Sequence, residues 1–176
     1  MRRYWLVFSA VAMVLGSGCQ ATGMGWIPSS DKIPGDKATF GFVYDGTTVT
    51  FSGSYHDPHG QTVLGVVDVA FKGTGVMRPC KAAEPACAKA PANGPKGGCL
   101  FGSPSYTSQN PKIPDTMPTY LQRVTLLICD SDGTLGSLSP FPDDFILISV
   151  DTGPYEGYTN AGTPSGNITV RNDPTS

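Results

Sequence analysis

The sequence predicts an all-β fold: an antiparallel β-sandwich or small barrel of about eight strands, with one long Pro/Gly-rich insertion. Glycine and proline make up 22 and 16 of the 176 residues, a composition too rich in loop formers for a helical protein. Apolar and polar residues alternate with a period of two in several short runs, as in strands with one buried face. No segment sustains a helical period, and parallel strands would need helical crossovers, so we expect antiparallel strands.

The N-terminal segment, residues 1–18, has the parts of a secretory signal peptide. Arg2 and Arg3 supply the positive start, and the apolar run from Tyr4 to Leu15 is too short to span a bilayer. Small residues follow that run. The sequence therefore predicts export, with the mature chain beginning after residue 18.

The end of this segment, Leu15-Gly16-Ser17-Gly18-Cys19, resembles the bacterial lipobox, in which the cysteine receives a diacylglyceryl group and becomes the mature N-terminus. That family usually has leucine where Gly16 stands, while Ser17 and Gly18 fit its pattern. Gln20 follows the cysteine, which in the resembling enterobacterial pattern implies the outer membrane. The resemblance implies a lipoprotein of the bacterial cell envelope, anchored by acyl chains such as palmitate. The alternative is an ordinary secreted protein whose cysteine lies near the cleavage site by chance.

Residues 19–36 are predicted to be the lipidated Cys19 followed by a tether that lifts the domain off the membrane. Glycines and prolines are frequent there, hydrophobic periodicity is weak, and Trp26-Ile27 is the one apolar patch. The β-domain is predicted to span residues 37–176.

The strands of this domain are predicted from alternation. The first pair lies at residues 38–43 and 49–55, joined by Tyr44-Asp45-Gly46-Thr47, whose Asp-Gly pair is typical of a tight hairpin. Further strands are predicted at residues 63–71, 76–80, 120–129, 145–150, 155–159 and 167–171. The run 145–150 is almost continuously apolar, which indicates burial on both faces. Residues 81–118, rich in Ala, Pro, Lys, Gly and Ser, are predicted to be a loop insertion.

Four cysteines remain after Cys19, namely Cys80, Cys87, Cys99 and Cys129. An even number in an exported chain favours disulfides. Three pairings are possible, and the one we favour joins Cys80 with Cys129 and Cys87 with Cys99. A zinc site is the alternative, but the spacings contain no Cys-x-x-Cys pair.

Five short segments have the form of strand motifs: 37–42, Tyr55-His56-Asp57, 71–75, 124–130 and 144–148. Together they resemble the β-domains of some bacterial surface and secreted proteins, including the post-COAP type. The resemblance covers residues 37–171, with 81–118 as an insertion. It supports the fold and implies no activity, because that family has none assigned.

Two clusters have metal-ligating chemistry. His56 and His59 are the only histidines and flank Asp57, so the three side chains could share a zinc or copper ion. The alternative is a structural turn, since Asp57, Pro58 and Gly60 are turn formers.

The second cluster, Asp130-Ser131-Asp132-Gly133, resembles the start of a calcium loop, and Asp143 or Asp144 could add a ligand. The EF-hand pattern is incomplete, because Pro140 and Phe141 lie near the place of the bidentate glutamate. A Ca²⁺ site is therefore one interpretation, and a polar turn is the other.

Charge and motifs limit the function. Removing residues 1–18 removes two of the 12 basic residues and none of the 14 acidic ones, which leaves a net charge of −4 and argues against nucleic acid as a partner. No Gly-x-Ser-x-Gly elbow is present, so catalysis has little support. We expect an envelope-anchored lipoprotein whose non-catalytic β-domain binds or scaffolds an envelope protein or glycan, contacting the membrane through its lipid. One alternative is a metal-dependent (Ca²⁺ or Zn²⁺) binder or hydrolase. Another is a binding domain that recognises its partner through the insertion 81–118.

Overall fold

The structure, a computed structural model, describes residues 20–62, 65, 67–80, 99–130 and 144–171. These residues form ten β-strands and one 3-10 turn, Thr119–Leu121. The strands are β1 (Gln20–Pro28), β2 (Lys37–Asp45), β3 (Thr50–Gln61), β4 (Val67–Pro79), β5 (Cys99–Gly102), β6 (Ser105–Ser108), β7 (Arg123–Cys129), β8 (Phe145–Thr152), β9 (Thr159–Gly162) and β10 (Ser165–Arg171). Among the described residues, no helix has the length and hydrophobicity that a membrane crossing requires.

All strands belong to one antiparallel sheet with the order β10-β1-β2-β3-β4-β5-β7-β8-β9. The short strands β5 and β6 lie end to end between β4 and β7, since both pair with each neighbour. Their register is continuous: Met77 lies opposite Gly102, and Thr74 lies opposite Ser105. The all-β, antiparallel prediction is confirmed.

The sheet rolls up until its two edges meet. β9 and β10 are at opposite ends of the strand order, yet only residues 163–164 separate them in the chain. A flat sheet of nine strand positions would be about 38 Å wide, whereas a two-residue link spans about 11 Å. At the seam, Asn160 Nδ2 donates to the Pro28 carbonyl (3.0 Å), and the Ile168 N–H donates to Asp144 Oδ2 (3.1 Å).

Alternate side chains of each strand fill the interior of the roll. On β2, for example, Ala38, Phe40, Phe42 and Tyr44 are buried, as the alternation predicts. The core takes residues from β1 to β8 and from β10. It is rich in aromatic rings, with contacts such as Phe71 to Tyr106 (centroids 5.2 Å apart). Burial of each such ring contributes roughly 2–3 kcal/mol and is the main force that closes the roll.

A second, smaller apolar cluster lies on the outer face of β5, β7 and β8. Cys99, Leu127 and Cys129 are buried there, and Phe145 and Leu147 pack against them half-buried. β8 therefore has one face in the core and the other partly covered. The prediction of burial on both faces is confirmed for the inner face and only partly met on the outer one.

The tether prediction is wrong for residues 20–28, which form β1 between β10 and β2. The glycines that suggested a tether serve packing. A Cβ at Gly23 would collide with the ring of Phe42, and one at Gly25 would lie 2.7 Å from the Ser165 carbonyl oxygen. Glycine here permits close approach of neighbouring groups rather than chain freedom.

Two further boundaries differ from the prediction. β4 runs without a turn through Gly73 and Gly75, which face Gly53 and Phe51 on β3, so the predicted strands 63–71 and 76–80 are one strand in its described part. Within the predicted insertion, β5 and β6 are strands of the sheet, with Leu100 and Tyr106 buried. Residues 81–98 lie outside the described residues.

The favoured disulfide pairing is wrong. Cys99 is bonded to Cys129, its direct partner in the β5–β7 register, with Cα atoms 4.0 Å apart. Cys80 is also disulfide-bonded, and its N–H donates to the Cys99 carbonyl (2.9 Å). Because β5 was taken for a loop, its register with β7 could not be foreseen. Cys87 lies outside the described residues.

Candidate functional site

Several buried polar side chains of the described residues, Ser29 and Asp57 among them, lie at one end of the roll, which we call the plugged end. Three segments meet there: the β1–β2 loop (residues 29–36), the end of β3 and the β8–β9 loop (residues 153–158). The β1–β2 loop is closed on itself, since the Ser29 N–H donates to the Asp36 carbonyl (3.0 Å). The β8–β9 loop inserts Tyr155 and Tyr158, both fully buried, into the core.

Asp57 is the centre of the plugged end. Its carboxylate is buried and accepts four hydrogen bonds: from Ser29 Oγ (2.5 Å), the Ser30 N–H (3.0 Å), Tyr158 OH (2.7 Å) and the His59 N–H (3.2 Å). Burial opposes ionisation, but these donors outweigh it, so the pKa of Asp57 is lowered below its usual value. The carboxylate therefore stays ionised and holds all three segments together.

A chain of hydrogen bonds continues from Asp57 towards the seam. Because Tyr158 donates its proton to Asp57, its oxygen accepts the proton of Tyr55 OH (2.5 Å). The oxygen of Tyr55 in turn accepts from Asn160 Nδ2 (2.8 Å). Burial raises the pKa of both tyrosines, so they remain neutral donors.

An open groove with a volume of about 560 Å³ runs over the outside of the sheet beside the plugged end. We call it the outer groove. Its floor is the row Met24, Gly41, Ser54 and Lys72, which are register partners on β1 to β4. Its other lining residues are Thr39, Phe40, Tyr55, His56, Asp68, Ala70, Phe71 and residues 109–111.

The polar rim of the outer groove is pre-organised. His56 Nε2 lies 2.8 Å from Asp68 Oδ1, and Asn110 Nδ2 donates to both the carboxylate (3.2 Å) and the carbonyl (2.9 Å) of Asp68. Asp68 has a left-handed backbone (φ 72°), beside an irregularity in the β3–β4 register. Such strain persists where surrounding contacts hold it in place, and it is frequent at functional sites.

The floor of the outer groove is open because of one glycine. Among the glycines of the described strands, Gly41 has the most room: an added Cβ would lie 3.9 Å from Ser54 Oγ and 4.0 Å from the Gly23 carbonyl oxygen. Packing therefore does not require glycine at position 41. Its missing side chain is what leaves the groove deep.

The structure does not bring His56, Asp57 and His59 together as one metal site. β3 alternation directs His56 to the outer groove and Asp57 into the core, where its oxygens already accept four donors. His59 instead lies beside Asp31 and Asp36, and one ligand atom from each of these three side chains lies within 4.8 Å of the others. Sequence reasoning missed both aspartates because it assigned them to a tether.

The predicted calcium residues are only partly described. Cys129 and Phe145 are register partners in the β7–β8 pair. Asp130 follows Cys129 and Asp144 precedes Phe145, so both aspartates lie at the same end of that pair. Asp130 is buried, and Asp144 caps the β10 backbone at the seam. Asp132 lies outside the described residues, as does Cys19.

Comparison with known proteins gives no match: neither a family model, nor a curated protein, nor a solved structure is similar to this chain. The resemblances seen in the sequence therefore remain predictions.

Proposed function

We propose that this chain is an exported, lipid-anchored domain of the bacterial cell envelope that binds a glycan in the outer groove without chemically changing it. The observation that carries the proposal is the open floor at Gly41, where packing would tolerate a side chain and none is present. A concave, pre-formed surface with a few convergent polar groups is the usual form of a binding site.

The chemistry of the outer groove suits a polar, uncharged polymer. Ser54, Lys72, Gln109 and Thr39 offer donors and acceptors, while the exposed side chain of Met24 (72 %) adds an apolar surface. Sugar rings present hydroxyl groups together with apolar C–H faces, so such a lining can satisfy both. The single lysine and the paired Asp68 give the groove no strong charge of either sign.

Binding without catalysis is supported by the state of the carboxylates. Glycan hydrolysis needs an acid and a base that face the bond to be cleaved. Asp68 is engaged by His56 and Asn110, and Asp57 is held in the core by four donors. The described lining of the outer groove therefore offers one carboxylate, Asp68, and no facing pair of carboxylates.

The test compares Gly41→Trp with Ser52→Trp in the full chain. Both positions face outwards on neighbouring strands, but only Gly41 lines the groove. With purified peptidoglycan and outer-membrane polysaccharide as probes, we expect Gly41→Trp to weaken sedimentation with the glycan by about tenfold or more, and Ser52→Trp to leave it unchanged. Equal binding by the two variants, binding of an envelope protein in place of glycan, or cleavage of the polymer would contradict the proposal.

A further inference from the structure

We propose that Asp31, Asp36 and His59 form a zinc site at the plugged end, separate from the outer groove. The three residues come from two segments, the β1–β2 loop and β3, and each can direct one ligand atom to a common point. Two carboxylates and one imidazole are a zinc-type ligand set, with a water molecule as the fourth ligand.

One pair of ligand atoms has the spacing expected of two ligands on the same zinc ion. His59 Nδ1 lies 3.4 Å from Asp36 Oδ2. An N–H···O hydrogen bond usually measures about 2.7–3.2 Å. Two ligand atoms bound to zinc at about 2.0–2.2 Å and at the tetrahedral angle are about 3.4 Å apart, which is the separation found here.

The charge of the cluster suits a divalent cation. In the described part of the chain, no lysine or arginine nitrogen lies within 4.0 Å of the Asp31 or Asp36 carboxylate. The nearby Lys37 is directed elsewhere: its Nζ lies 4.0 Å from the ring centroid of Trp26. Asp31 Oδ1 accepts the Ile33 N–H (3.1 Å), and the two aspartates together carry a negative charge that a divalent ion would offset.

Asp57 fixes the ligand-bearing segments before any metal binds. Its carboxylate accepts from Ser29 and Ser30, which begin the loop that carries Asp31 and Asp36. It also accepts the backbone N–H of His59. The buried carboxylate therefore acts as a positioning residue, since one group sets the distance between the two halves of the site.

Zinc fits better than calcium or magnesium. Calcium takes six to eight oxygen ligands, and magnesium retains several waters in an oxygen shell. Imidazole nitrogen is preferred by zinc and its neighbours among the transition metals. The imidazole is half exposed and Asp36 a quarter exposed, so water has access to the remaining coordination position.

Bound zinc would clip the β1–β2 loop to β3 and stabilise the plugged end. The test uses the untagged full chain with its disulfides intact, stripped of metal with EDTA and titrated with ZnCl₂ in a calorimeter. We expect one zinc ion per chain and a rise of the thermal midpoint with zinc concentration. Asp36→Asn and His59→Ala should each weaken zinc binding by about tenfold or more.

His56→Ala is the matched control, because His56 lies three residues away and pairs with Asp68 outside the cluster. It should bind zinc as the unmodified chain does. Circular dichroism of each variant separates lost binding from lost folding. Absence of zinc uptake, uptake of CaCl₂ in preference to ZnCl₂, unchanged binding by folded His59→Ala, or loss of binding in His56→Ala would each overturn the proposal.

Discussion

Asp57 shows how one residue can hold an end of a rolled sheet. It is the only side chain in the described structure shown to accept hydrogen bonds from the β1–β2 loop, β3 and the β8–β9 loop together. We predict that Asp57→Asn lowers the free energy of unfolding by about 3 kcal/mol. Asparagine replaces one accepting carboxylate oxygen by an NH₂ group, which would face the hydrogen-bond donors that now point at that oxygen. Urea unfolding measures the loss. Asp45→Asn, at an exposed carboxylate of the β2–β3 turn, should change stability far less.

The same carboxylate makes stability depend on pH. Its pKa is lowered in the folded protein, whereas an unfolded aspartate has a pKa of about 3.9. As pH falls, the unfolded chain therefore binds the proton before the folded chain does. The contribution of Asp57 to the free energy of unfolding is complete above the unfolded pKa and is lost as pH falls through the folded pKa. Its titratable neighbours, Tyr55 and Tyr158, stay neutral throughout.

We therefore predict that the urea midpoint of the unmodified chain falls steeply below about pH 4 and that Asp57→Asn shows a shallower fall. Urea titrations between about pH 2 and pH 7 measure both curves. Parallel curves would show that other carboxylates cause the acid sensitivity.

At the scale of elements, the β8–β9 loop depends on its first residue. Gly153 has a left-handed φ of 106°, and a Cβ there would collide with the Tyr106 hydroxyl that donates to the Thr152 carbonyl. Gly35 has a similar φ of 96° but no atom within 4 Å of an added Cβ. We expect Gly153→Ala to cost about 1–3 kcal/mol more than Gly35→Ala in chemical unfolding. Equal costs would mean that backbone strain alone matters at position 153.

The elements that could be predicted from the sequence are those with large alternating side chains. β2 and β3 were visible because Phe40, Phe42, Phe51 and Tyr55 repeat every second residue, although the connection spans four residues rather than a two-residue turn. β1 was missed because two of its inward positions are glycines, Gly23 and Gly25. β5 and β6 were missed because each is only four residues long. The segment 155–159, predicted as a strand, is mainly the loop that plugs the core.

The candidate sites were less predictable than the strands. His56 and His59 attracted attention as the only histidines, but strand alternation separates them from Asp57, and their partners Asp68 and Asp36 are set by register and loop closure. The outer groove has no sequence signature, because it arises from a missing side chain at Gly41. Which side chains meet across two strands depends on strand register, and the spacing of residues along the sequence does not reveal that register.

At the scale of the whole molecule, the start of β1 determines how an anchored domain would sit on a membrane. A lipid on Cys19 would be attached one residue, about 3.8 Å between Cα atoms, from Gln20 at the rim of the sheet. The same rim carries exposed Val49 (42 %) and Val76 (62 %), because Gln20, Asp45, Thr50 and Val76 are register partners. The plugged end lies at the other end of β1.

We therefore predict that the lipidated chain rests its Val49 and Val76 rim on the bilayer and points the plugged end outwards. In hydrogen exchange on liposomes, amides of residues 46–50 should be protected relative to the free chain, while those of residues 29–36 should not change. Equal protection of the two ends, or protection of the plugged end alone, would contradict this orientation.

The most direct test of the central claim, that the outer groove is the binding surface, is an NMR titration of the ¹⁵N-labelled chain with soluble glycan fragments released from peptidoglycan and outer-membrane polysaccharide. We predict that chemical-shift changes concentrate at the amides of Gly41, Ser54, His56 and Lys72 and are lost in Gly41→Trp. Changes centred on the seam at Asn160 or on the Val49 rim, with Gly41 unaffected, would contradict the account.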